Sequence, residues 1–233
     1  FSVFAFSGTA KAQTTPPHRV PAANAAVYMV ANGFKITDEK TLREGAKKLK
    51  GSTVKYSNGR YVWDLKGGIL DGKNQKGKGD QSEDQEPLAW VYLPLTIKNG
   101  FIRNNKNALS FYKPNAGVEK ITWLTVGEDA VATFNGAFNF VAKDCEAVNS
   151  GKGDKSFQFN EAKGLSATNN TIYRGITGMR IGSSGATQVS DRAYICGNRF
   201  VNVDTAYNLS KITVEQTCVS TYQNVKHKFI HSN

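Results

Sequence analysis

Residues 95–105 read "LTIKNGFIRNN". The layout returns as "VEKITWLTVGE" (118–128), "FVAKDCEAVNS" (140–150), "SATNNTIYRGI" (166–176), "AYICGNRFVNV" (193–203) and "ITVEQTCVSTY" (212–222). In each segment apolar residues flank a polar position. With Asn99, Lys120, Asp144, Asn170, Asn198 and Gln216 as that shared position, the segments recur at spacings of roughly 18–28 positions, the length of a solenoid repeat. Units of this length, made of short strands and turns, mark a solenoid. No helical pattern fills the gaps, which argues against leucine-rich repeats. The spacing predicts an all-β fold, a right-handed parallel β-helix. Its coils stack about 4.8 Å apart, and its hand follows from the crossover rule for parallel strands.

Composition agrees. A chain of 233 residues with 39% hydrophobic residues and 22 glycines suits one turn-rich β domain better than a helical bundle. One helix is predicted, in "ITDEKTLREGAKKLKG" (36–51). Thr37 or Asp38 supplies the N-cap, Asp38 and Glu39 suit the first turn, and lysines suit the last. Leu42, Ala46 and Leu49 form its apolar face, which is expected to cover the open end of the stack. "GRYVWDLKGGILDG" (59–72) reads as two short strands, and 71–87 as a mixed-charge, solvated loop. The acid-rich part of that loop lacks the spacing of an EF-hand.

The first residues, "FSVFAFSGTAKAQ", form a short apolar run ending in Ala10-Lys11-Ala12, the pattern of a secretory signal cut near Ala12. The expected organisation is a signal remnant at 1–12, a proline-rich lead-in at 13–34 and a single β-helix domain at 35–233. No segment is long and apolar enough for membrane insertion. The net charge is +11, or +10 without Lys11. A basic extracellular protein meets anionic partners. The lysines are scattered and no nucleic-acid motif is present, so an acidic polysaccharide is the expected partner, a nucleic acid is not, and a monomer is expected. Of the three cysteines, Cys196 and Cys218 are able to pair. The odd count leaves one thiol over unless it bonds another chain.

In a β-helix, residues one coil apart become neighbours, so charges recurring at the coil length gather. Glu128-Asp129 is followed one coil length on by Asp154-Lys155, and Arg180 lies a similar interval beyond Lys155. These five are expected in one outer strip. Three close carboxylates repel unless neutralised. A calcium ion does this with Glu128, Asp129 and Asp154 as oxygen ligands, and so does a salt-bridge network with Lys155 and Arg180 alone.

"VGEDAVATFNG" (126–136) and "SGKGDKSFQFN" (150–160) together resemble the paired motifs of class III pectate lyases, small secreted right-handed β-helix enzymes. The resemblance covers roughly residues 97–230 and is close around 118–160. It implies Ca²⁺ held by Glu128, Asp129 and Asp154, with Lys155 and Arg180 catalytic, and cleavage of pectate or another uronate polymer by β-elimination. Lys155 is then the base or polarising cation, and Arg180 clamps the substrate carboxylate. Three positions depart from the pattern. Thr177 stands where a lysine is expected, Phe159 replaces a histidine, and an acidic ligand expected near Ala108 is missing. A second reading is therefore a catalytically inactive β-helix that binds anionic glycan or a cell-surface partner. A third is an assembly subunit, joined through its stackable ends and an unpaired cysteine. "GGILDG" is similar to early coils of polygalacturonases, but an Asp-Asp pair and Gly-His-Gly are missing, which argues against hydrolysis. His18, His227 and His231 lie near the termini and are expected to be exposed. Trp63, Trp90 and Trp123 are expected to be buried coil residues. Asn169 and Asn208 sit in N-x-S/T sequons.

Overall fold

The computed structural model describes residues 18–30, 33–75, 87–105, 107–126, 129–134, 137–149, 155–160, 162–182, 192–216 and 218–232. Among them, twenty strands hydrogen-bond into one continuous sheet, wound so that nearly every pairing is parallel and links consecutive coils. The chain is a parallel β-helix, as the coil spacing predicts. It has three faces. Face I carries Phe34–Ile36, Ala89–Val91, Leu109–Phe111, Val131–Thr133, Lys155–Phe159 and His227–Ser232. Face II carries Arg60–Asp64, Val141–Lys143, Leu165–Thr168, Arg192–Cys196 and Thr213–Gln216. Face III carries Val27–Met29, Ile69–Gln75, Glu146–Asn149 and Thr221–Gln223. Four long strands turn a corner and serve two faces each. Leu95–Asn105 and Gly117–Val126 run from II to III, and Thr171–Gly182 and Arg199–Ser210 from III to I.

The corners explain the polar repeat. Asn99, Lys120, Asp144 and Asn169 take positive φ of 55°, 54°, 54° and 55° at the bend between faces II and III. Asparagine and aspartate tolerate this left-handed region better than most residues. The interior is a stack of aliphatic and aromatic side chains, including Trp63, Trp123, Phe111, Phe157 and Phe200, all fully buried. Trp63 and Trp123 behave as expected. Trp90 does not: it is half-exposed, with the Lys35 ammonium 5.6 Å from its ring centre.

The helix Glu39–Lys48 closes the first coil. Asp38 caps it, accepting from the Thr41 N–H while the Thr41 hydroxyl accepts from the Asp38 N–H. Leu42, Ala46 and Leu49 are buried as predicted. A hairpin pairs Thr53–Ser57 with Arg60–Asp64 through Asn58-Gly59, an antiparallel exception whose Asn-Gly signal is present in the sequence. The stretch 71–87, expected as loop, begins instead as the end of strand Ile69–Gln75.

One interior column is polar. Asn170 accepts from the Cys145 N–H and donates to Ala142 O and Asn198 Oδ1. Asn198 donates in turn to Ala167 O and to the Tyr207 hydroxyl, which pairs with Ser220 Oγ at 2.8 Å. Burial pushes the Tyr207 phenol from its ordinary 10.0 up to about 12, and the Cys145 thiol from 9.0 to about 12. Both groups are neutral in the fold, and the unfolded chain releases their protons first. Their contribution is therefore complete below pH 9 and is lost as pH rises towards 12. Thermal melts are expected to hold steady up to pH 9 and fall progressively above it; a melting temperature flat across that window overturns the account. Cys196 and Cys218 form a disulfide that joins consecutive coils.

Candidate functional site

Face I is built from a four-residue phrase repeated once per coil: Asn107-Ala108-Leu109-Ser110, Asp129-Ala130-Val131-Ala132, Lys155-Ser156-Phe157-Gln158, Thr177-Gly178-Met179-Arg180 and Thr205-Ala206-Tyr207-Asn208. The third residue of each points into the core. So does the second: Ala108, Ala130, Ser156 and Ala206 are buried, and a side chain on Gly178 would meet the Phe200 ring at 2.5 Å. Two inward residues in succession bend the chain. Of the flanking first and fourth residues, Asn107, Asp129, Lys155, Gln158, Arg180 and Asn208 are half-buried, whereas Ser110, Ala132, Thr177 and Thr205 are buried.

Two files of flanking residues result. Register pairs Lys155 with Thr177, Thr177 with Thr205 and Thr205 with His227. Val131 pairs with Phe157 and Ala130 donates to Ser156 O, so Asp129 stands one coil before Lys155. Asn107 stands one coil earlier still, and its Oδ1 accepts from the Asp129 N–H at 3.3 Å. The second file runs Ser110, Ala132, Gln158, Arg180, Asn208. Beside it rises a half-buried aromatic ladder. Tyr92 stacks on Tyr112 at 4.7 Å and Tyr112 on Phe134 at 5.0 Å.

The expected strip needs correction on one point. Arg180 does not stand over Lys155; Thr177 does, and Arg180 stands over Gln158. The coil leaving Lys155 closes three positions before Arg180 is reached. Lys155 and Arg180 are thus neighbours on a diagonal, one coil and three positions apart, about 11 Å between Cα atoms from standard strand spacings. Two long side chains can address one small group across that gap. Glu128 and Asp154 lie outside the described residues.

The departures from the family pattern acquire structural meaning. Phe159 is a core residue packed on Phe140 and Phe157, so its position faces away from ligand. Ala108 also faces the core, and the polar residue below Asp129 is Asn107, which the motif does not single out. Among the described residues, no group of three or more His, Cys, Asp or Glu side chains is arranged to hold a metal ion. The described strip offers one carboxylate, Asp129, where calcium takes six to eight oxygens.

Other candidates are structural. Asp71 of "GGILDG" is buried, which disfavours its charge. The Lys73 N–H, Arg103 and Asn104 outweigh this and hold its carboxyl below the usual carboxylate range. Cys145 is fully buried, so the unpaired thiol offers no bond to a second chain. His227 and His231 are exposed, but His18 is half-buried against Tyr173, with ring centres 6.1 Å apart. The lead-in explains this. Arg19 donates to Ile121 O and Asp144 O and pairs with Glu146 at 3.2 Å, and Ala26 O accepts from the Ile69 N–H. Residues 18–26 therefore run down face III. Among the described residues, no helix is long and apolar enough to cross a membrane.

No family model matches the chain, and no curated protein matches it. Fold and face together define it as a basic parallel β-helix with a polar and aromatic outer sheet.

Proposed function

We propose that the chain is a secreted polysaccharide lyase acting on pectate or another uronate polymer along face I. One observation carries this reading: Asp129, Lys155 and Arg180 occupy the outer surface of three successive coils of one sheet. A linear glycan lying along the coil axis meets a new set of side chains about every 4.8 Å, close to the length of one pyranose. Arg180 pairs with the substrate carboxylate through its planar fork. It also stabilises the charge that spreads into that group as the α-proton leaves. Lys155 takes that proton from C5, the C–H electron pair becomes the C4=C5 bond, and the glycosidic oxygen departs from C4 and is protonated by water. Calcium, when bound, supplies further neutralisation of the carboxylate; no step above depends on it.

Thr177 and the inward Phe159 favour a second reading, in which the same face holds anionic glycan without cleaving it. One experiment separates the two. The protein is loaded at low salt on immobilised polygalacturonate, and the same protein is assayed for the ultraviolet absorbance of unsaturated product, with and without calcium. Retention released by salt together with product supports the lyase. Lys155→Gln is then expected to cut turnover by about 10²–10⁴-fold with retention unchanged, whereas Arg180→Gln loses both. Retention without product across several uronates leaves the binding reading, and flow-through without product defeats both.

A further inference from the structure

We propose a second ligand site, for a sugar carboxylate, on face III around Arg199. It lies on a different face from Arg180 and stands whether or not face I is a lyase. Arg199 sits between Thr171 of the preceding coil and Thr221 of the next. Its side chain is half-buried. Arg19, Arg103 and Arg192 each meet a carboxylate. The Arg199 guanidinium makes no hydrogen bond or ion pair among the described residues. It opens instead onto a recess of about 340 Å³, lined by Arg199, Thr221, Tyr222 and Gln223.

The chemistry of the lining selects the ligand. A planar guanidinium matches a carboxylate with two parallel hydrogen bonds. The Thr221 hydroxyl and the Gln223 amide each donate and accept, as the hydroxyls of a sugar require. The recess is shallow and open to solvent, so a single sugar residue rests against it rather than being enclosed. Position adds a further argument. Among the described residues, the lead-in segment covers this face as far as Tyr173, where His18 rests, and the recess lies in the adjoining coils. The ligand is therefore a single uronate residue or the uronate end of a chain, held beside the lead-in segment.

The test is titration of the whole protein, labelled with ¹⁵N, with galacturonate, galactose and acetate. Saturable shifts at Arg199, Thr221 and Gln223 are expected with galacturonate. Galactose, which lacks the carboxylate, and acetate, which lacks the hydroxyls, are each expected to bind at least about tenfold more weakly. Arg199→Gln is expected to weaken galacturonate by about tenfold or more, Arg199→Lys by less, and Thr221→Val to weaken galacturonate but not acetate. Arg180→Gln is expected to leave these shifts intact, which separates this site from face I. Arg199 is on the surface, and a far-ultraviolet spectrum confirms that its variants fold. The proposal is overturned by the absence of saturable shifts, by unchanged affinity in Arg199→Gln, or by acetate binding as tightly as galacturonate.

Discussion

Replacing Asn170 by leucine is expected to lower the unfolding free energy by about 4 kcal/mol. The residue is fully buried between coils. Its amide accepts from the Cys145 N–H at 3.0 Å and donates to Ala142 O at 2.9 Å and to Asn198 Oδ1 at 3.1 Å. Leucine keeps the branched skeleton but is bulkier, so overpacking adds to the loss of hydrogen bonds. Each buried group left without a partner costs about 1–3 kcal/mol. Two groups, the Cys145 N–H and Ala142 O, are stranded, whereas Asn198 Oδ1 keeps the Asn170 backbone N–H. The effect extends further, because Asn198 Oδ1 loses one of the two donors that orient its amide towards Ala167 O and Tyr207. Urea unfolding followed by circular dichroism measures the change. A loss below about 1 kcal/mol, within the range of a single ordinary hydrogen bond, would mean that the column is not a coupled structural element.

The same residue shows how far sequence carries the fold. Asn99, Lys120 and Asp144, members of the polar repeat, are the left-handed corner residues of their coils. At the next two coils the repeat positions Asn170 and Asn198 lie one residue past the bend. The corners there are Asn169 and Gly197, and the two asparagines point inward. In "NN" and "GN" both residues suit a corner, and only the neighbouring coil decides which one turns in. Coil length is illegible for a related reason. Loops at the corners vary without disturbing the sheets, so the interval from Lys155 to Arg180 and the interval from Lys155 to Thr177 look alike until strands are paired. That is why spacing alone stacks Arg180 over Lys155 when Thr177 belongs there. The helix is readable because its cap, charges and apolar spacing are all local. The aromatic ladder of Tyr92, Tyr112 and Phe134 is not, because its members become neighbours only when coils stack. The Arg199 recess likewise draws residues from two coils and leaves no contiguous motif.

Substituting alanine for Gly182 is expected to cost about 3–5 kcal/mol, from backbone strain and overpacking together. Gly182 has φ +118°, and a β-carbon there would overlap Ser210 O. Ser210 is its partner in the next coil of face I, so the clash is with backbone that the ladder holds in place. Nothing flexible can yield. Gly51→Ala provides the control. That glycine also has positive φ, at +86°, but nothing lies within 4 Å of the added carbon. It therefore reports the conformational cost alone, about 1 kcal/mol. In a solenoid each coil is held chiefly by its neighbours, so the excess at Gly182 should be localised. Amide exchange is expected to accelerate in 199–210 and 221–232 well before the coils near the helix. Reduction of the Cys196–Cys218 disulfide, which ties two of these coils together, is expected to widen that difference. Equal losses for the two alanine variants, or uniform acceleration along the chain, would show that contact between Gly182 and Ser210 does not hold the last coils together.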